Sequence, residues 1–146
     1  MKRIIQIING PNLNLLGTRE PGIYGSQSFE SWLEQIRLRY PDLELRYAQS
    51  NHEGDLVDLL QHCGMQQLPV ILNAGAYTHT SVALADAIAA ARTRGVEVHI
   101  SNIYARENFR HTSYISHQAL AVISGLGLYG YEAALHFLLE LSLIHI

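Results

Sequence analysis

The feature that most narrows the possible folds is an alternation. Short apolar, β-branched runs take turns with segments of helical period from one end of the chain to the other. Strands separated by helical segments read as βαβ units around a parallel sheet. Strands are expected near Ile4 to Ile8, Leu43 to Ala48, Val70 to Leu72, Val96 to Ile100 and Ala121 to Ser124. A first helix carries Phe29, Leu33, Ile36 and Tyr40 on one stripe, and a second carries Leu56, Leu59, Leu60 and Cys63. Pro41-Asp42 and Gly64 are the expected stops. A third helix is expected from about Ser81 to a stop at Gly95, and a fourth from near Gly130 with Leu135, Leu138 and Leu139 inward.

Five such strands predict an α/β fold, a doubly wound, flavodoxin-like sandwich with a five-stranded parallel sheet. In such a fold ligands bind beyond the carboxyl ends of the strands. The chain has 146 residues and 48% apolar content, enough for a single catalytic domain that buries roughly 70% of its unfolded surface. With a net charge of −3 and its basic residues dispersed, it lacks the footprint of a nucleic-acid binder. No run approaches the roughly 20 apolar residues that span a bilayer, and the stretch after Met1-Lys2-Arg3 is too brief for a signal core. The lone Cys63 excludes an internal disulfide framework. A soluble, cytoplasmic protein is expected. Of its ten basic residues only Lys2 is a lysine, and Lys2 precedes the first strand, so no buried lysine is on offer for Schiff-base chemistry.

The strand ends carry the polar groups. After the first strand a long connection runs from Gly10 to about Gln27, and within it Arg19 and Tyr24 flank a Pro-Gly turn. Ionising a tyrosine at pH 7 costs about 4 kcal/mol, and a cation at about 4 Å returns roughly that much at an effective dielectric of about 20. Arg19 could thereby make Tyr24 a usable base. After the third strand comes Asn73-Ala74-Gly75-Ala76-Tyr77-Thr78-His79-Thr80-Ser81. Ser81 or Thr80 can cap the following helix there, which leaves Asn73 and His79 without a structural task. In Gln49-Ser50-Asn51-His52-Glu53, Asn51 is expected to cap the second helix and Glu53 to sit in its first turn.

The fourth strand is the most informative. Val96, Val98 and Ile100 alternate with Glu97, His99 and Ser101, which puts the three polar side chains on one face. An edge strand with a solvated face would account for that. An inner strand would require Glu97 and His99 to partner each other, a bound group or water, and a His99 oriented by Glu97 could act as a general acid. Arg106 and Arg110 follow at a spacing of four, sharing a face if the loop is helical and suited to a carboxylate, hydroxyls or a phenolate. A zinc site of His79, Glu97 and His99 has no HExxH or paired-cysteine spacing behind it.

These segments together, NGPNLNLLGTREPGIYG from Asn9, QSNHEGDLVD from Gln49, NAGAYTHTSVAL from Asn73 and VHISNIYARENFRHTS from Val98, resemble the type II dehydroquinases over nearly the whole chain. The resemblance implies anti elimination of water from 3-dehydroquinate to 3-dehydroshikimate through an enolate, in the shikimate pathway, with no metal, no Schiff base and no cofactor. By position, Tyr24 would be the base that takes the C2 proton, with Arg19 lowering its pKa and Arg106 in support. Asn12 would hold the water that stabilises enolate charge. His99 would protonate the departing C1 hydroxyl, oriented and charged by Glu97. Asn73 and the backbone amides of Ile100 and Ser101 would take the substrate carboxylate, and His79 and Arg110 the ring hydroxyls. Asp86 matches an aspartate that reaches the site from a neighbouring subunit, which implies a homo-oligomer built of trimers, a dodecamer. Leu15 to Gly25 would be a lid. In Ser81 to Asp86 the chain has Ala85 where the family often has arginine. The competing class is a flavodoxin-like module for a nucleotide or flavin, and Gly10-Pro11-Asn12-Leu13-Asn14 offers neither the glycines nor the hydroxyls of a phosphate loop.

Overall fold

Five parallel strands pair in the order β2-β1-β3-β4-β5, with β1 at Arg3–Asn9, β2 at Leu43–Gln49, β3 at Val70–Asn73, β4 at Gly95–His99 and β5 at Ala121–Ser124. That order is the flavodoxin-like one, and its reversal falls between β1 and β3. The computed structural model describes residues 2–18, 22 and 27–144. Arg19, Tyr24 and most of the expected Leu15 to Gly25 lid lie outside those residues.

Helices cover both faces of the sheet because both faces are apolar. On one face, α1 (Phe29–Arg39) and α4 (Tyr129–Ile144) bring Phe29, Trp32, Leu33, Tyr131 and Leu135 onto Ile5, Ile7, Ile71, Val96 and Val98. On the other, α2 (Glu53–Met65) and α3 (Val82–Ala91) set Leu56, Leu60, Cys63, Leu84 and Ile88 against Ile8, Val70 and Leu72. The central strands β1 and β3 feed both cores by their period-two alternation. Leu141 is buried, so the apolar end of the chain continues α4 against the body as far as that residue.

Helix starts follow the capping chemistry. Ser28 Oγ accepts from the Ser31 amide, and Ser81 Oγ from the Leu84 amide. Helix ends depart from expectation twice. Gly64 does not stop α2, which runs on to Met65 and turns at Gln67 (φ 57°). A Cβ on Gly64 would lie 2.4 Å from the Ala91 carbonyl oxygen, so this glycine is there to let α2 and α3 approach. Likewise α3 ends at Ala91, on Arg92 in the left-handed region (φ 55°), and Gly95 is instead the first residue of β4.

Candidate active site

At the switch point, the loops leaving β1, β3 and β4 enclose a cavity of about 130 Å³. The β1 and β3 loops run backbone against backbone. The Gly10 amide donates to the Asn73 carbonyl at 2.7 Å, and a Cβ on Gly10 would sit 2.4 Å from the Ala74 carbonyl oxygen. Among the cavity's lining residues are Asn12, Asn73, His79, His99, Arg106 and Arg110, with Ile100 and Ser101 just past the end of β4.

β4 is an inner strand, lying between β3 and β5, which excludes the solvated-edge account of its polar residues. Glu97 is 1% exposed and His99 5%. The two are hydrogen-bonded, with His99 Nε2 to Glu97 Oε2, which leaves Nδ1 as the imidazole nitrogen available to the cavity. Glu97 Oε1 accepts from Ser116 Oγ at 2.6 Å and from Ser113 Oγ at 3.1 Å. Burial alone would raise the Glu97 pKa. The bonds from His99, Ser116 and Ser113 outweigh it and hold the carboxyl below its ordinary 4.5.

His79 comes from the 3₁₀ turn Gly75–His79 and stacks on His99, ring centroids 6.2 Å apart. Its Nδ1 bonds the Thr112 carbonyl at 2.8 Å. Because a carbonyl can only accept, Nδ1 carries the hydrogen, and neutral His79 offers Nε2 as an acceptor. Burial pulls its pKa down, against the Thr112 bond, and the nearby His99 and Arg110 add to the lowering. An acceptor of this kind suits a substrate hydroxyl.

Arg106 and Arg110 do not share an α-helical face. They stand on two 3₁₀ turns, Arg106 just after Ile103–Ala105 and Arg110 within Asn108–His111. Both still line the cavity, and Glu107 lies between them, 3.1 Å from Arg110 Nε and 3.8 Å from Arg106 Nε. Arg106 Nη1 also donates to Ser101 Oγ at 3.2 Å.

Asn73 is fixed by a buried network that local sequence reading missed. Its Oδ1 accepts the Gly75 amide at 3.1 Å, and its Nδ2 donates to Tyr131 Oη at 2.9 Å. Tyr131 in turn donates to Asn9 Oδ1 at 2.8 Å. Burial pushes the Tyr131 phenol far above its usual range, so it stays a neutral hinge between two amides. Tyr131 reads in sequence as one more apolar position of α4, and Ser113 and Ser116 read as loop hydroxyls. Only the spacing of three between those serines hinted that both could reach one point.

Asn12 adopts φ 70° and is exposed at the cavity mouth, its amide donating to Asn51 Oδ1 at 3.0 Å. Asn51 therefore does not cap α2, whose N-cap is His52. It ties the β2 loop to the β1 loop, while Glu53 does sit in the first turn of α2. Asp86 is exposed on α3 and does not line its own chain's cavity. Among the described residues no three His, Cys, Asp or Glu side chains group as metal ligands would, and no helix is long and apolar enough to cross a membrane.

A family model described as dehydroquinase class II matches residues 3–139. A 3-dehydroquinate dehydratase of Exiguobacterium sp. is 54% identical over 137 residues, covering 93% of this chain and 94% of its own. The relative named 3-dehydroquinate dehydratase 1 in Agrobacterium fabrum is 51% identical, covering 97% and 99%. The crystal structure of a type II dehydroquinase from Propionibacterium acnes superposes with a TM-score of 0.89 at 38% identity, covering 94% of this chain and 97% of that one.

Proposed function

This chain belongs to the class II dehydroquinase family, and from that premise we propose that its switch-point cavity is where 3-dehydroquinate loses water to give 3-dehydroshikimate, a hydro-lyase step of the shikimate pathway. The observation that carries the site assignment is the buried Glu97–His99 pair opening onto a cavity ringed by Arg106, Arg110, His79 and Asn73. A paired acid and base at the edge of an anion-binding pocket is what elimination from a hydroxylated carboxylate needs.

In this reading Tyr24, with Arg19 and Arg106 stabilising its phenolate, removes the C2 proton. The C2–H electron pair moves onto the C3 carbonyl oxygen, and the enolate charge is met by a water held by Asn12. The enolate pair then returns to form the C1–C2 double bond while the C1–O bond breaks, and His99 gives its proton to the leaving hydroxyl. Tyr24 has gained one proton and His99 has lost one, so exchange through solvent restores the starting state. Asn73 and the Ile100 and Ser101 amides take the carboxylate. His79 Nε2 and Arg110 hold the ring hydroxyls, for which the acceptor tautomer of His79 is suited.

Asp86, exposed on α3 outside its own cavity, is assigned to a neighbouring subunit's site, so the active unit is a homo-oligomer of trimers, a dodecamer. Its working compartment is the cytoplasm, where the unpaired, buried Cys63 stays reduced. The test is ultraviolet absorbance after adding 3-dehydroquinate with EDTA present, since the product is a conjugated enone. A rising trace supports the reading. A flat one from a folded sample refutes it.

A further inference from the structure

Glu97 is held by more than its histidine. We infer that Ser116 and Ser113 are positioning residues of the reaction: their hydroxyls fix Glu97 as a carboxylate with Oε2 turned to His99, and so keep the shared proton on His99 Nε2 and the cavity-facing Nδ1 hydrogen acidic. This rests on the dehydratase reading of the site.

The direction of these hydrogen bonds is forced. Ser113 Oγ accepts from the backbone amides of Ile115 and Ser116, each at 3.1 Å, which occupies both of its lone pairs. Its single proton therefore goes to Glu97 Oε1 at 3.1 Å. Ser116 Oγ brings a second donor to the same oxygen at 2.6 Å. Oε1 is thus saturated by two hydroxyls that lie 16 and 19 residues away in sequence, and Oε2 is left to His99. The serine turn is anchored from below by Ile115, which is 1% exposed in the core between α2 and α3, and from the side by the Tyr114 amide on the Thr78 carbonyl at 2.9 Å.

Glu97 Oε2 and His99 Nε2, both buried, share one proton, and it can rest on either partner. With the proton on Glu97 the pair is neutral, and His99, keeping only its Nδ1 hydrogen, is a far weaker acid than the imidazolium. Hydrogen bonds to an ionised acceptor are roughly twice as strong as those to a neutral one, so each serine donor favours the carboxylate. The other charged or titratable groups near the pair are His79, stacked on His99, and the cavity-lining Arg106 and Arg110, with the exposed Glu107 beside both arginines. The serines are the groups that hydrogen-bond Glu97 directly besides His99.

The test is steady-state kinetics against pH for the intact enzyme and for Ser116→Ala, Ser113→Ala, their double variant and Ser116→Thr. Loss of one donor to a charged group should lower kcat about tenfold and move its acidic limb up by about one pH unit, with KM within about threefold. The limb moves up because a less stabilised carboxylate takes a proton at higher pH. The double variant should lose about a hundredfold, and Ser116→Thr, which keeps the hydroxyl, should recover most of kcat. A double variant with kcat within about twofold of the parent and an unmoved acidic limb overturns the inference. If the double variant does not fold, Ser116→Ala decides: a fall in kcat with no limb movement and no rescue by threonine marks a merely structural serine and likewise overturns it. An unmutated enzyme with no turnover refutes the dehydratase reading instead, and the two failures are told apart in one experiment.

Discussion

Replacing Tyr131 by phenylalanine tests the buried network behind Asn73. The ring should keep its place, since it packs edge-on against Phe29 at 4.9 Å and tilted against Trp32 at 5.4 Å. Only the hydroxyl goes, and with it two buried hydrogen bonds: Asn9 Oδ1 loses its donor and Asn73 Nδ2 its acceptor. A buried polar group stripped of its partner costs about 1–3 kcal/mol, and Asn73 retains the Gly75 bond while Asn9 retains a 3.4 Å contact with Tyr47. The sum is about 3 kcal/mol. For a chain of this length that lowers the melting temperature by roughly 6–12 °C. The melt should be recorded at matched protein concentration, because the stability of the proposed oligomer would depend on it. Freed from Tyr131, the Asn73 amide is no longer held in register with the cavity, so KM should rise more than kcat falls. A variant that melts within about 2 °C of the parent and has unchanged KM would show that these hydrogen bonds carry no weight.

Tyr24→Phe should abolish nearly all turnover while leaving substrate affinity within about tenfold, measured by single-turnover absorbance and by calorimetric titration; near-normal kcat removes Tyr24 from the base role. Glu97→Gln should lower kcat by about a hundredfold or more, read from the same enone assay. The same substitution probes stability against pH. The folded pKa of Glu97 is depressed, so its contribution is fully present above the ordinary value of 4.5 and is lost as pH falls through the lower folded value. An acid titration of the melting temperature should therefore be shallower for Glu97→Gln, and parallel curves would contradict the assigned shift. Gly64→Ala should destabilise by about 1–3 kcal/mol through the 2.4 Å approach to the Ala91 carbonyl, a loss visible in thermal melts and absent if α2 and α3 can part.

How much was legible in the sequence follows from the range of the forces involved. The strands and the helix faces are encoded by apolar periodicity, which each segment carries within itself, so Ile4 to Ile8 or Phe29 with Leu33 and Ile36 could be placed without any neighbour. That Asn73, His79, His99, Arg106 and Arg110 gather around one cavity was legible too, because they follow strands β3 and β4 in a sheet whose order the βαβ rhythm nearly dictates. Gly64 looks like a helix stop because a glycine required for close packing and one required for a turn are alike in one dimension, and Gly95 because the start of β4 follows the end of α3 so closely. Asn51 was misjudged as a cap because its partner, the Asn12 amide, lies 39 residues away. Tertiary structure alone decided what stands behind the chemistry: the hydroxyls of Ser113 and Ser116 on Glu97, and Tyr131 between Asn9 and Asn73. Those hydrogen bonds join segments with no local periodicity in common, and they exist only because packing of the two cores brings buried polar groups together where each must find a partner or lose its solvation uncompensated.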